Sequence, residues 1–278
     1  MKKLQTLLAV AVGGVLLNFG LPVSAQPAKP GYATVIRVKG EASYSLDDGA
    51  HRYPLVAGKF LEAGASIYTG QDGVVDVVLG KSVDLPQAKW VPERVSLSVD
   101  SPVRGLTDYR PSSEQNVVRV MSSSTLVIDK LTTTSSGADT VSDTELNVKK
   151  GSIFASVKKL SPAAQYLVKT PTGIAGVRGT QFSITLNDDG SIQSVAVYKT
   201  LNDEGLVLAV TSPVGTTQTY LIKDGEVWQS GLANPIPITH ELRTVLQAVF
   251  AALRTPYYQL VSYDYDRTQC QESTDFGF

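Results

Sequence analysis

Four Asp-Gly pairs constrain this chain more than any other feature. They stand at Asp48-Gly49, Asp72-Gly73, Asp189-Gly190 and Asp224-Gly225, each between strand-like runs. Asp-Gly favours the positive φ angles of tight hairpin turns, so it marks places where an antiparallel strand reverses. The runs between them fit. Thr34–Val38 alternates, with Thr34, Ile36 and Val38 expected on one face and Val35 and Arg37 on the other. Further strands are predicted at Val74–Leu79, Val117–Met121, Thr125–Ile128, Glu145–Val148, Ser152–Val157, Gln193–Tyr198, Leu206–Thr211 and Thr217–Ile222. No helix-length amphipathic run alternates with them, so βαβ units are excluded. The expected fold is all-β: an antiparallel, hairpin-rich sandwich, roll or short solenoid-like domain over residues 31–231.

Two stretches break the pattern. Pro86, Pro92, Pro102 and Pro111 punctuate a segment that also holds Trp90 and Tyr109. Proline is kept out of central strands, so this segment reads as an exposed excursion with one short strand at Arg94–Val99. Thr132 to Asp143 is rich in Ser, Thr and Asp and reads as a polar loop. The one clear helix is late. Leu242, Val245, Leu246, Val249, Phe250 and Leu253 recur at helical spacing on one face. Thr239 suits the N-cap, Glu241 the first turn and Arg254 the last, and Pro256 ends the run. Six large apolar side chains, at about 1.5–3 kcal/mol each, need a cover. The favoured cover is the chain's own β domain, with the helix closing an open sheet edge. The alternative is a partner's groove.

The start of the chain has its own signature. Lys2 and Lys3 precede an apolar run, Leu7 to Leu17, and Val23-Ser24-Ala25 is a small-residue cleavage site. A span needs about twenty apolar residues, so residues 1–25 read as a cleaved secretory signal rather than an anchor. No later run reaches that length, and a periplasmic or secreted product is expected, with no transmembrane span after cleavage. Residues 1–25 hold two of the 25 basic residues and none of the 26 acidic ones, which leaves a formal charge of −3. That balance offers no footprint for nucleic acid and no polybasic membrane patch. Cys270 is the single cysteine, so stability rests on the core and not on disulfides.

No catalytic constellation emerges. His51 follows a turn and reads as a surface residue; His240 opens the helix without a second histidine four residues on. No serine sits in a nucleophile elbow, and no Cys/His cluster could hold zinc. Asp188-Asp189-Gly190 lacks the further oxygens of a calcium loop. Phe276 and Phe278 end the chain, but the strands are too short and too charged for an outer-membrane barrel. We therefore expect no enzyme activity, no cofactor and no metal. Trp90, Tyr109 and Trp228 are the residues that would serve a glycan-binding face, against the ordinary reading as packing aromatics.

Tyr166 to Leu186 carries the most distinctive stretch. Apolar runs at Tyr166–Lys169 and Thr180–Leu186 flank glycines at 173, 176 and 179. Phe182, Ile184 and Leu186 share one face of the second run, and Gln181, Ser183 and Thr185 the other. The glycine spacing is no dinucleotide or phosphate fingerprint, and the glycines read as bends or close approaches. Arg178 lies in apolar company and is expected to hold backbone carbonyls or a carboxylate.

Thr170-Pro171 with Ala175-Gly176-Val177-Arg178-Gly179-Thr180-Gln181-Phe182 resembles the core motif of the FecR-type domain family. Gly58 to Gly70 and Thr144 to Ile153 are similar to its earlier turn-and-strand segments, and the resemblance runs from Ala33 to Gln229. Residues 81–115 read as an insertion, and 236–278 as a C-terminal helix and polar tail. The family includes periplasmic regulators of iron uptake, in which a cytoplasmic segment engages a sigma factor. This chain opens with a signal-like segment instead. The resemblance then implies a non-enzymatic exported domain that acts as a signalling, scaffold or protein-binding module of the bacterial cell envelope. Its partner would be an unidentified envelope protein or cell-wall component. The alternative is a glycan-binding or cell-surface structural module. Gly176, Val177, Arg178, Gly179, Thr180 and Phe182 are the motif residues it singles out, in a structural or recognition role. Leu242, Val245, Leu246, Val249, Phe250 and Leu253 form the candidate partner-helix face.

Overall fold

The computed structural model describes residues 28–80, 103–109, 115–136, 139–201, 204–253 and 257–263. The expected signal segment, the expected strand Arg94–Val99, Trp90, Arg254, Pro256, Cys270, Phe276 and Phe278 lie outside them.

In chain order the strands are β1 (Lys29–Pro30), β2 (Tyr32–Lys39), β3 (Ala42–Ser45), β4 (Tyr53–Pro54), β5 (Phe60–Leu61), β6 (Ser66–Thr69) and β7 (Val74–Gly80). Then come β8 (Val103–Tyr109), β9 (Asn116–Val120), β10 (Thr125–Ser136), β11 (Asp139–Lys150), β12 (Ser152–Ser156), β13 (Gln165–Thr170) and β14 (Gly173–Val177). The last are β15 (Thr180–Leu186), β16 (Ile192–Thr200), β17 (Leu206–Thr211), β18 (Thr217–Ile222), β19 (Glu226–Gln229), β20 (Ile236–Pro237), helix α1 (His240–Ala252) and β21 (Tyr257–Tyr263).

They build an open sandwich. One sheet runs β18-β17-β14-β13-β11-β10-β6-β3-β4, with β1 added against β10; the other runs β20-β19-β16-β15-β12-β9-β7-β2-β5. Alternation explains why they face each other. Ile67, Leu126, Ile128, Leu146, Val148, Val168 and Leu208 of the first sheet meet Val35, Val77, Val118, Ile153, Phe182, Ile184 and Val195 of the second in one buried core. The chain repeatedly crosses between sheets. From β11 it passes through β12 in the opposite sheet and returns as β13, which pairs parallel with β11. That is a single solenoid-like coil within an otherwise antiparallel structure.

Several local expectations change. Asp48-Gly49 and Asp189-Gly190 connect paired strands, β3 with β4 and β15 with β16, but Asp72-Gly73 and Asp224-Gly225 are not hairpin turns: they carry the chain from one sheet to the other, β6 to β7 and β18 to β19. Thr34, Ile36 and Val38 do not share a face, because β2 bulges between Val35 and Arg37. The extra residue turns both Ile36 and Arg37 outward and returns Val38 to the core side. The segment from Thr132 to Asp143 is no loop but the outer half of the β10–β11 hairpin, with Thr132 opposite Asp143 and Thr133 opposite Ser142. A paired ribbon needs β-propensity more than apolar alternation, and threonine supplies it. The excursion around Tyr109 and the tail, which showed no period of its own, pair as strands β8 and β21.

Helix α1 starts at its expected N-cap, where the Thr239 hydroxyl accepts the Leu242 amide at 3.2 Å, and Glu241 stands in the first turn. It covers the outer face of the second sheet and not a sheet edge. Leu246, Phe250 and Leu253 are buried against Ile36, Val78, Val117, Ala196, Val227 and Ile238. Phe250 meets Phe154 edge-on at 6.1 Å and stacks on Tyr198 at 5.5 Å. A strongly amphipathic sheet would bury one face only; here Phe154 and Tyr198 make the second face apolar enough to hold a helix.

Candidate functional site

The FecR-like stretch is a corner between the two sheets. β13 and β14 form a hairpin in the first sheet, joined at Pro171-Thr172, with Thr170 opposite Gly173 and Leu167 opposite Gly176. The middle of the stretch is thus a strand of its own and not merely a bend. At Arg178-Gly179 the chain leaves that sheet and enters β15, in the centre of the other, between β12 and β16. Two glycines have a physical reason. A Cβ on Gly173 would lie 2.6 Å from the Ala209 carbonyl oxygen, where β17 crosses close by. Gly179 has φ 60°, the left-handed turn that redirects the backbone. Gly176 has room for a Cβ, with nothing nearer than 3.9 Å.

Arg178 staples the corner. Its Nη2 donates to the carbonyl oxygens of Pro162 at 2.7 Å and Ser161 at 3.2 Å, and its Nη1 lies 3.5 Å from Glu204 Oε2. The side chain keeps about a third of its exposure at 32%, so it holds the 158–164 connection from the rim rather than from the core. Thr180 is fully buried; its hydroxyl donates to the Arg178 carbonyl at 3.0 Å, and its carbonyl accepts the Val157 amide at 3.0 Å. Val177 and Phe182 enter the core, the latter with no exposure. The six motif residues therefore come together as one structural joint with Arg178 on its surface.

On the outer face of the first sheet, Lys169 reaches Glu145 Oε2 at 2.6 Å and Asp129 Oδ2 at 3.3 Å. The Glu145 hydrogen bond, more than any other contact, raises the Lys169 ammonium above its ordinary range. In the hairpin turn at Asp48-Gly49, Asp47 accepts from the Ser45 hydroxyl, the His51 amide and the His51 ring. Those bonds, Ser45's first, hold the Asp47 carboxyl well below the usual carboxylate range. His51 is a turn residue tied to that carboxylate, and His240 is exposed at the helix start. Among the described residues no group of three or more His, Cys, Asp or Glu could hold a metal.

A buried cluster escaped the sequence reading. Asp76 of β7 has no exposure, and Arg119 of β9, directly opposite, clamps it with Nε–Oδ1 at 2.7 Å and Nη2–Oδ2 at 2.8 Å. Arg37, aimed outward by the β2 bulge, stands 3.9 Å away. The signal was present: an acid inside Val-Val-Asp-Val-Val and a base inside Val-Val-Arg-Val each break a valine run at an outward position. A bidentate arginine–carboxylate fork is the strong form of such a pair, and these residues cross-link adjacent central strands.

Of the aromatics expected on a glycan-binding face, Trp90 lies outside the described residues and Trp228 sits in the core. Trp228 is buried, its indole N–H donates to the Leu232 carbonyl at 3.2 Å, and its ring lies 5.1 Å from Tyr220. It packs the core at the end of an open groove of about 1020 Å³ between β18 and residues 230–235. Tyr109 contributes backbone to the β8–β21 ribbon. Of the helical stripe, Leu246, Phe250 and Leu253 are buried and Leu242 and Val249 half-buried on the sheet, while Val245 is exposed at 53%. No described helix is long and apolar enough to cross a membrane.

No curated protein and no solved structure matches the chain. The family model described as FecR protein matches residues 110–200, from before β9 through β16, and takes in the Arg178 motif; over those residues the chain matches a FecR-type domain.

Proposed function

We propose that this protein is a non-enzymatic, exported module of the bacterial envelope that acts in signalling or scaffolding by binding another protein. The match to the FecR family over residues 110–200 is the observation that carries the reading. The signal-like residues 1–25 support export. The domain would extend beyond the matched residues over 31–231, since both sheets need strands from each side of the match to close their common core. The Arg178 corner is the recognition candidate: its guanidinium, about a third exposed, pairs with exposed Glu204, and exposed Leu201 is held beside it by its amide's bond to the Gly179 carbonyl.

The test has two arms. Expressed in a Gram-negative host from its own start, the protein should be released by osmotic shock and begin near Gln26; Met1 on a cytoplasmic product refutes export. Crosslinking in intact envelopes should then join it to one defined protein, and Arg178→Glu should remove that adduct while the variant, although less stable, remains folded at the assay temperature. Recovery of oligosaccharide in place of a protein adduct would favour the glycan-binding module.

A further inference from the structure

Exposed strand edges invite pairing, and proteins blunt them with very short strands, proline or charge. Three of the four ends of the two large sheets follow that rule. β4 and β20 are two-residue strands ending in Pro54 and Pro237, and β5 is a two-residue strand. The fourth end, β18, does not. It runs six residues, Thr217-Gln218-Thr219-Tyr220-Leu221-Ile222, with no proline and no charge.

The hydrogen-bond phase shows which groups that edge offers. The Ser212 amide donates to the Thr216 carbonyl at 2.9 Å, which closes the β17–β18 turn. The Thr211 amide donates the other way, to the Thr172 carbonyl at 2.8 Å. Antiparallel pairs alternate between bonded and non-bonded. Thr211 opposite Thr217 is then a non-bonded pair, and Gln218, Tyr220 and Ile222 exchange the bonds with β17. Thr217, Thr219 and Leu221 turn their N–H and C=O groups outward, toward no described strand. All three are exposed.

We propose that β18 is a self-association edge, through which two copies of this chain pair antiparallel about a twofold axis at Thr219 and join their larger sheets. The outward positions are symmetric about that residue, so Thr219 meets Thr219 and Thr217 meets Leu221 of the second copy. All three outward residues are then satisfied at once, and a threonine pair at the axis is a favourable cross-strand combination. Neutrality points to a second copy as the occupant. Identical edges bring like charges together, and here there are none: β18 is uncharged, and so is every described residue lining the groove beside it. The closed two-fold arrangement ends the edge rather than propagating it. This association does not depend on the envelope partner.

Sedimentation velocity on the purified full chain, with hydrogen exchange of the β18 amides, tests it. The wild-type protein should form a dimer that dissociates on dilution, with the 217, 219 and 221 amides slowed in the dimer. Thr219→Pro removes an amide that bonds no described residue of the subunit, and Leu221→Lys places like charges across the axis. Each should raise the dissociation constant by at least about tenfold while leaving the melting temperature and far-UV spectrum unchanged. If Thr219→Pro fails to fold, Leu221→Lys alone decides. A wild-type monomer at every concentration overturns the proposal, including one whose β18 amides slow only on adding a foreign peptide or oligosaccharide. So does a dimer that the folded variants retain.

Discussion

Replacing Arg119 with methionine should be the most damaging conservative change in the described core. The substitution keeps chain length but leaves the Asp76 carboxylate, which has no exposure, without its two-bond partner. Breaking a buried pair from one side costs about 3–5 kcal/mol, because the surviving charge stays desolvated. Arg37 at 3.9 Å supplies partial compensation, and its side chain is 34% exposed and so screened. The expected loss is therefore near the lower end, about 3 kcal/mol. Against a total stability of about 5–15 kcal/mol that is a large share. At a urea slope of about 2 kcal/mol/M, it moves the unfolding midpoint down by about 1.5 M. The double variant Asp76→Val with Arg119→Met removes both charges and extends the flanking valine runs; it should recover most of that loss or exceed wild type. Equilibrium urea unfolding of the three proteins checks the reasoning. A single variant with the wild-type midpoint, or a double variant no better than the single, refutes it.

Other outcomes follow from the same contacts. Arg178→Leu strands the Ser161 and Pro162 carbonyls near the surface and should cost about 1–2 kcal/mol in all; an unchanged melt would assign Arg178 to recognition alone. Leu246→Asp puts a carboxylate where α1 is fully buried and should cost at least about 3 kcal/mol, from lost burial and desolvation together; a wild-type melt would mean that the helix is not held by the sheet. Tyr166 is buried with no hydrogen-bond partner for its hydroxyl among the described residues, and burial pushes that phenol up. Tyr166→Phe should be neutral or stabilising by about 1 kcal/mol, and a clear loss would reveal a partner. Asp47 has a folded pKa below its ordinary value of 3.8, so its stabilising effect is present above that value and fades as the pH falls toward the folded one. The melting difference between wild type and Asp47→Asn should hold steady from neutral pH down to that region and shrink in stronger acid; a difference confined to neutral pH would contradict it.

Some of this architecture was legible in the chain by itself, for reasons that act over a few residues. Asp-Gly turns, period-2 runs and the capped stripe from Thr239 depend on local sterics and burial. They placed most of the longer strands, excluded βαβ units and located the one described helix. Phe182, Ile184 and Leu186 are buried together as alternation requires, and Arg178 finds the carbonyls that its apolar neighbours demanded. Other features depend on neighbours far away in sequence. A bulge in β2 is invisible until β7 sets its register, yet it turns Arg37 toward Asp76. Thr132 to Asp143 is polar enough for a loop and becomes a ribbon only because its two halves lie opposite each other. β8 and β21 carry no period of their own and exist as a pair across the length of the domain. The sequence showed that the stripe of α1 must be covered; only the tertiary structure decided that the cover is the outer face of a sheet. The reason is the same in each case: local preferences select an element, but its partner is chosen by which distant strand completes its hydrogen bonds and buries its side chains.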